Sequence, residues 1–360
     1  MARFHPVRFQ LSLATLLALV AVACGPSAAP APRSAAPQAA APAAPAALAP
    51  AAPAKPPATE QFTFQLPWKA GGTYSAFYLA AKKGYYAEQG LVVDIVEGRG
   101  SATTAKVVGA GTAPLGYAEG GVVIQSVTED VPIKAVAAIM QKSPASVMFP
   151  KSLGINTPKD LEGKKFAAAP ASSTTILLDP WLRINGVDPA TVQIVSTSPQ
   201  TILTVLLQGQ ADVASAFYSD NVPVLQSRGM DAGYLLYADY GLNVPGSSII
   251  VNNAFASEKP DVVRRFVAAA LRGHIEAQRD PAASVASIAD LATSLDTTLE
   301  TAALTNVLNL LHTERSQGKP LGWMAKEDWE DGINILFEYA GLKSKPKVEE
   351  VITNDFLPAQ

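Results

Sequence analysis

The chain has 360 residues, enough for two lobes of ordinary domain size, and 48% apolar with 16% charged residues marks a core-forming protein rather than a disordered one. Formal charge is −3, but residues 61–360 carry 24 basic and 30 acidic side chains, a net of −6. That balance argues against a nucleic-acid partner, which needs a basic stripe to neutralise phosphates.

Residues 1–23 read as a signal peptide. Arg3 and Arg8 give a positive start, and Leu11 to Ala23 is a mostly apolar run of 13 residues, short of the roughly 20 that cross a bilayer. Cys24 follows directly and is the single cysteine of the chain, so no intramolecular disulfide is possible. A signal ending at a lone cysteine resembles a bacterial lipobox and implies lipidation of Cys24, with Ala21 a departure from the leucine usual there. Gly25 to Glu60 holds 17 alanines and 10 prolines in 36 residues. Such a stretch builds no core and, as polyproline II, reaches on the order of 110 Å. Residues 24–60 are therefore expected to tether the folded part to a membrane.

From Gln61 the pattern alternates strand and helix, as in a parallel sheet with helices on both faces. Phe62, Phe64 and Leu66 alternate along a first strand, and the Gly71–Gly72 turn after it lets backbone pass close to something bound there. A helix from Ser75 ends before Gly84, and Leu91 to Val96 is a second strand. Ser101 to Gly109 reads as a helix, Ala113 to Tyr117 as a strand, Val122 to Glu129 as a helix and Ile133 to Ile139 as a buried strand. Lys142 to Phe149 carries the chain out of this lobe. The scheme then repeats. Lys165 to Ala169 is a strand, a helix runs to Asn185, and Val192 to Val195 is a strand. Pro199 opens a helix at its N1 position, Asp212 to Ala216 and Tyr234 to Ala238 are strands, and Ser248 to Val251 returns to the first lobe. Ala110–Tyr117 and Gln208–Ser215 echo each other as helix end, glycine, short strand. Residues 260–342 read as helices covering lobe one, on Val262, Val263, Phe266, Val267 and Ala270 and then Ile333, Leu336, Phe337 and Tyr339.

The run Trp68, Tyr74, Phe77–Tyr78–Leu79–Ala80, Gly84–Tyr85–Tyr86, Gln89–Gly90–Leu91 resembles the opening of the NMT1/THI5-like solute-binding proteins. The likeness continues through Asn156–Thr157–Pro158–Lys159–Asp160–Leu161–Glu162–Gly163–Lys164 and Thr353–Asn354–Asp355–Phe356–Leu357. It implies an α/β, two-lobed periplasmic-binding-protein fold of type II with a hinge and an interlobe ligand cleft. Residues 61–147 with 248–360 would form lobe one, and residues 148–247 lobe two. It also implies a vitamin-binding receptor of an ABC importer, with permease and ATPase subunits as partners and the outer face of the cell membrane as its place.

Other chemistries lack their groups. Gly98–Arg99–Gly100–Ser101 has no third glycine at Thr103, and it follows the second strand, so it is no dinucleotide fingerprint. There is no phosphate loop, no nucleophile elbow and no cluster of metal ligands; His274 and His312 read as packing or surface residues. The pyrimidine synthases that resemble this family carry a histidine six residues after the first-strand tryptophan and a cysteine-rich motif. Here that position is Tyr74 and no cysteine follows Cys24, so no enzyme activity, cofactor or metal is expected.

Loops at the carboxyl ends of strands should line the cleft. They supply the aromatics Trp68, Tyr74, Tyr117, Phe217, Tyr218 and Tyr240, and the polar groups Gly100, Ser101, Glu119, Gln141, Ser172, Ser173 and Thr174. Rings suit a flat ligand, hydroxyls an oxygen-rich one, and Glu119 a ring N–H. With only Lys69 and Arg99 as cationic candidates, a sulfonate or nitrate stands behind a heteroaromatic vitamin. The hydroxyl-rich second lobe and the loss of the family histidine put riboflavin slightly ahead of a thiamin-pyrimidine precursor. The receptor is expected to be monomeric.

Overall fold

The computed structural model describes residues 59–170, 172–291 and 295–359. The signal peptide, Cys24 and nearly all of the tether lie outside them.

The first half opens with β1 (Glu60–Gln65), α1 (Ser75–Lys82), the one-turn α2 (Tyr85–Glu88), β2 (Leu91–Val96), α3 (Ser101–Gly109), β3 (Leu115–Glu119), α4 (Gly120–Thr128) and β4 (Ile133–Ala138). The second half holds β5 (Ala145–Pro150), β6 (Lys165–Ala168), α5 (Ser173–Ile176), α6 (Leu178–Ile184), β7 (Gln193–Ser196), α7 (Ile202–Leu207), β8 (Val213–Phe217), α8 (Tyr218–Ser227) and β9 (Ala232–Leu236). The chain returns through β10 (Ser247–Asn252) to α9 (Asn253–Glu258), α10 (Pro260–Arg279), α11 (Pro281–Ala286), α12 (Thr297–Leu308), α13 (Lys326–Tyr339) and α14 (Val348–Val351).

These strands form two five-stranded sheets, ordered β2-β1-β3-β10-β4 and β7-β6-β8-β5-β9. The orders correspond position by position. β1 lies parallel to β2 and β3, as β6 does to β7 and β8. The fourth strand of each sheet is antiparallel and arrives from the other half of the chain: β10 between β3 and β4, β5 between β8 and β9. The sequence echo thus falls on equivalent strands, β3 and β8. Ala145–Pro150, expected as a passage between lobes, is a full strand of the second sheet; Pro144 and Pro150 bracket it and disguise it as a loop.

Two other elements depart from expectation. Pro199 lies three residues before the start of α7 instead of opening it, because Ser198 and Thr201 close a polar turn there first, their hydroxyls 2.8 Å apart. Phe217 and Tyr218, expected on a loop, are the last residue of β8 and the first of α8, a helix that carries Pro223 inside it.

The first sheet buries Phe64, Leu115, Tyr117 and Ile249 against α1 and α10. α10 owes its 20 residues to Pro260 at its first turn and to Val262, Val263, Phe266, Val267 and Ala270 on one face. Phe266 meets Phe64 at 4.9 Å and stacks on Tyr86 at 5.4 Å. Burial of each such side chain contributes about 1.5–3 kcal/mol. In the second sheet Trp181 is fully buried and stacks on Tyr237 at 4.6 Å. The family-like segments serve architecture. Asp160 caps its own turn by accepting from the Asn156 and Thr157 N–H groups, and the Asn354 amide pairs with both the N–H and C=O of Met324.

The C-terminal helices cover more than lobe one. Leu304 of α12 packs with Ala76 and Leu79, while Val307 and Leu310 pack with Met140 and with Ile202 and Tyr218 of the other half. Ile335 and Leu336 of α13 likewise reach the second sheet's core. Phe337 and Tyr339 do not join a core: α13 buries Trp329, Gly332 and Ile333, which leaves both rings on its outer face, Phe337 beneath the Lys345 ammonium at 4.9 Å.

His274 is a packing residue, as expected. Its Nδ1 lies 2.8 Å from the Ala270 carbonyl and its ring stands edge-on to Phe77 at 4.7 Å. Burial outweighs that carbonyl and holds its pKa down at about 4 against an ordinary 6.5. The unfolded chain therefore binds a proton that the folded one refuses, so stability is lost as pH falls from 6.5 towards 4. Urea unfolding of wild type and His274→Gln across that window should show a pH-dependent difference in favour of the variant at the acid end; a difference constant with pH would contradict this.

Candidate functional site

Between the carboxyl ends of the parallel strands of the two sheets lies a cavity of about 300 Å³. Glu119, at the end of β3, lines it from the first sheet. Ala169, Ser172, Ser173, Thr174, Pro199, Ile202, Ser215, Ala216, Phe217 and Asn221 line it from the second. Glu119 and Phe217 end equivalent strands, so the two halves present the same topological position to each other.

The first-sheet wall is built in layers. Gly100 takes φ 115°, a conformation open to glycine, and so turns the chain from β2 into α3. Ser101, first in that helix, then accepts a hydrogen bond from the Glu119 N–H at 3.2 Å. Tyr74 stands edge-on to Tyr117 at 6.0 Å, and Tyr117 edge-on to Phe77 at 5.2 Å. Burial first, then the charges of Asp220 and Glu119 among its neighbours, holds the Tyr74 hydroxyl well above its ordinary pKa. Burial, then the charge of Asp220, pushes the Glu119 carboxyl up to about 7.

The second-sheet wall is hydroxyl-rich. Ser172 caps α5 by accepting from the Thr175 N–H and shares contacts with the Thr174 and Thr175 hydroxyls at 3.0 and 2.9 Å. Thr174 donates to the Ser215 carbonyl at 3.3 Å, and Ser215 meets the Tyr237 hydroxyl at 3.0 Å. Asn221 is fixed by donating to the Phe217 carbonyl at 2.9 Å.

Of the expected site residues, Glu119, Ser172, Ser173 and Thr174 come together at the cavity, with Tyr74 and Ser101 adjoining Glu119. Tyr117 is 1% exposed and supports Tyr74 from the core; its hydroxyl has no partner among the described residues, Ser247 lying beside it without completing a bond. Gln141 is buried in the crossing segment, its N–H donating to Leu310 and its carbonyl accepting from Asn243, outside the cavity lining. Trp68 is 55% exposed on the loop after β1. Tyr218 turns into the core against Tyr234 at 4.3 Å, and Tyr240 packs edge-on to Trp181 and donates to the Asn156 carbonyl. Neither lines the cavity. Phe217, among the six aromatics singled out in the sequence, does.

Asp220, not singled out from its segment in the sequence, joins the halves by accepting from Thr73 Oγ1 at 2.7 Å. Nor did the sequence expose the partner of the Gly71–Gly72 turn. What passes close there is α12: the Gly72 N–H donates to Glu300 Oε2 at 2.5 Å, and a Cβ on Gly72 would stand 2.0 Å from the Glu300 carbonyl oxygen. From the other end of α12, Asn306 donates to the Ser219 carbonyl at 3.2 Å. Two crossing segments, 139–144 and 241–246, connect the halves and are tied by Asn243, which accepts from the Ser143 N–H at 2.9 Å, and by the Lys142–Asp239 ion pair at 2.7 Å. Among the described residues no group of three His, Cys, Asp or Glu side chains is placed to hold a metal.

The profile described as NMT1/THI5 like matches residues 73–284, more than half of the chain. This protein belongs to the NMT1/THI5-like family. Two relatives span most of it. The formylaminopyrimidine-binding protein of Halalkalibacterium halodurans is 25% identical, over 82% of this chain and 91% of that one. The riboflavin-binding protein RibY of Chloroflexus aurantiacus is 26% identical, over 85% of this chain and 88% of that one. Among solved structures, the aliphatic sulphonate binding protein SsuA of Escherichia coli superimposes with a TM-score of 0.65 at 14% identity, over 82% of this chain and 92% of that one. The NMT1/THI5-like chain therefore has the two-lobed α/β fold of periplasmic binding proteins. The two relatives that cover more than 80% of it are binding proteins; a pyrimidine phosphate synthase of Aspergillus parasiticus is 22% identical over 65% of this chain, and one from Saccharomyces cerevisiae matches over 30%.

Proposed function

We propose that this protein is the solute receptor of an ABC importer and that it captures an amino-substituted heteroaromatic of about pyrimidine size. The observation that carries this reading is the Glu119 carboxylate, set in a mostly apolar cavity with hydroxyls opposite and no cation lining it. The carboxyl there accepts a hydrogen bond from an exocyclic amine and, when protonated, donates one to the neighbouring ring nitrogen, while in its ionised form it repels sulfonate and nitrate. Tyr74 and Phe217 offer a ring from each lobe for the faces of the heterocycle. A cavity of about 300 Å³ is at the small end for ligand sites, which favours one ring over a fused tricycle. The formylaminopyrimidine-binding relative agrees with that size and chemistry. Riboflavin is the second reading, supported by the hydroxyls of Ser172, Ser173 and Thr174 and by the riboflavin-binding relative.

The two sheets with their helices would act as lobes closing about the segments 139–144 and 241–246, so the first lobe ends a few residues before the boundary at 147 suggested by sequence. Calorimetric titration with an aminopyrimidine, riboflavin and an alkanesulfonate tests the proposal. The aminopyrimidine should bind tightest and the sulfonate not at all; tight sulfonate binding alone would overturn it. Phe217→Ala should weaken the aminopyrimidine by about 0.5–1.5 kcal/mol, the worth of an aromatic pair, while Tyr240→Phe should leave it unchanged. Equal losses in both would remove Phe217 from the site.

The receptor would be monomeric and held to the outer face of the membrane by an acyl chain on Cys24, the Ala/Pro stretch giving it reach to its permease. Cys24→Ser should release folded protein from the membrane fraction. Retention of that variant at high salt would show a second means of attachment.

A further inference from the structure

Two carboxylates from opposite lobes stand at the seam between them: Glu119 ends β3 of the first and lines the cavity, and Asp220, next to the cavity-lining Asn221, lies in the first turn of α8 of the second. Asp220 is positioned rigidly. It accepts from Thr73 Oγ1 across the cleft at 2.7 Å and from Ser219 Oγ at 2.9 Å, both neutral donors. The side chain of Glu119 has no such donor among the described residues. The other titratable groups facing it are Tyr74 and Tyr117, both kept protonated by burial. α3 and β10 present Ser101 and Ser247, α5 presents hydroxyls, and α7 and the turn before it present Ile202 and Pro199. Glu300 of α12 adds a third carboxylate at the Gly71–Gly72 turn, engaged with the Gly72 N–H. Lys69 and Arg99, the basic residues of the adjoining loops, are exposed to solvent.

We propose that Glu119 and Asp220 form an electrostatic gate, in which the lobes close only when positive charge, a proton or the cationic edge of a ligand, stands between the two carboxylates. Asp220 is then a specificity-determining residue: it adds nothing to the grip on a neutral ligand's far side but makes closure over an anion doubly unfavourable. The raised pKa of Glu119 accords with this, since the closed state holds its proton up to about pH 7. The sign is fixed by which state binds more protons. Opening the cleft hydrates Glu119 and returns it to an ordinary carboxylic acid, so the closed state is favoured as pH falls through 7 and loses that advantage above it. The proposal rests on the cleft being the ligand site, but its test needs no ligand.

The experiment is small-angle X-ray scattering of the ligand-free full chain between about pH 5 and about pH 9, with Glu119→Gln and Asp220→Asn alongside. The wild type should shrink in radius of gyration as pH falls through about 7, and Glu119→Gln should be compact at both ends of the range. Asp220→Asn keeps an acceptor for Thr73 while removing the charge, so it should move the transition to higher pH, and it carries the test if Glu119→Gln does not fold. A wild-type radius that does not change with pH, or the same pH-dependent change in Glu119→Gln, would overturn the gate. Either result leaves the ligand titrations to be judged by themselves, and a failed titration leaves the scattering result standing.

Discussion

Gly72→Ala is expected to destabilise the protein by about 3 kcal/mol, at the top of the range for overpacking, and to loosen the two lobes together. The new Cβ would stand 2.0 Å from the Glu300 carbonyl oxygen and 2.7 Å from its carbon. Both are backbone atoms inside a helix, so no side chain can swing away; either α12 retreats or the β1–α1 turn does. Retreat breaks the 2.5 Å bond from the Gly72 N–H to Glu300 and draws Val307 and Leu310 from the core they share with the second sheet. Urea unfolding should show the loss directly. An effect under about 1 kcal/mol, within the ordinary scatter of single substitutions, would mean that α12 does not bear on the turn as described.

Glu119→Gln should weaken aminopyrimidine binding by roughly 10- to 100-fold, the worth of a hydrogen bond to a charged group at about 1.5–3 kcal/mol. Glutamine is nearly isosteric, but it presents an N–H where the amine of the ligand also presents one. The same substitution should leave unfolding stability unchanged or improved at pH above 7, because there the ionised carboxylate is the disfavoured form in the folded cleft. Loss of binding together with loss of stability would mean that the residue holds the fold and not the ligand.

The reach of the sequence can be read from individual residues. β1 and α1 declare themselves because Phe62, Phe64 and Leu66, and then Phe77, Leu79 and Ala80, follow the period of a strand and of a helix. Glu119 was legible as the carboxylate at a strand end, since strand ends in open α/β sheets face the ligand. β5 was not, because its flanking prolines read as a passage. The first turn of α8 was not either, as Ser219–Asp220–Asn221 with Pro223 has the composition of a loop. Among the aromatics, sequence places each near a strand end but does not say to which side it turns. Tyr218 and Tyr240 turn to Tyr234 and Trp181, which lie far enough along the chain that no local pattern links them. The partner of Gly72 is 228 residues away, so the two glycines announced a close approach without naming what approaches.

A flat, amine-bearing ligand is proposed to sit at Glu119 between the two lobes. A crystal structure of the chain with an aminopyrimidine bound tests it most directly. The amine and ring nitrogen should lie within hydrogen-bond distance of the Glu119 carboxylate, with Tyr74 and Phe217 on the faces of the ring and the Thr73–Asp220 bond intact. A ligand found elsewhere, for instance in the groove lined by Lys142, Asp239 and Arg315, with the Glu119 cavity left unaltered, would contradict the account.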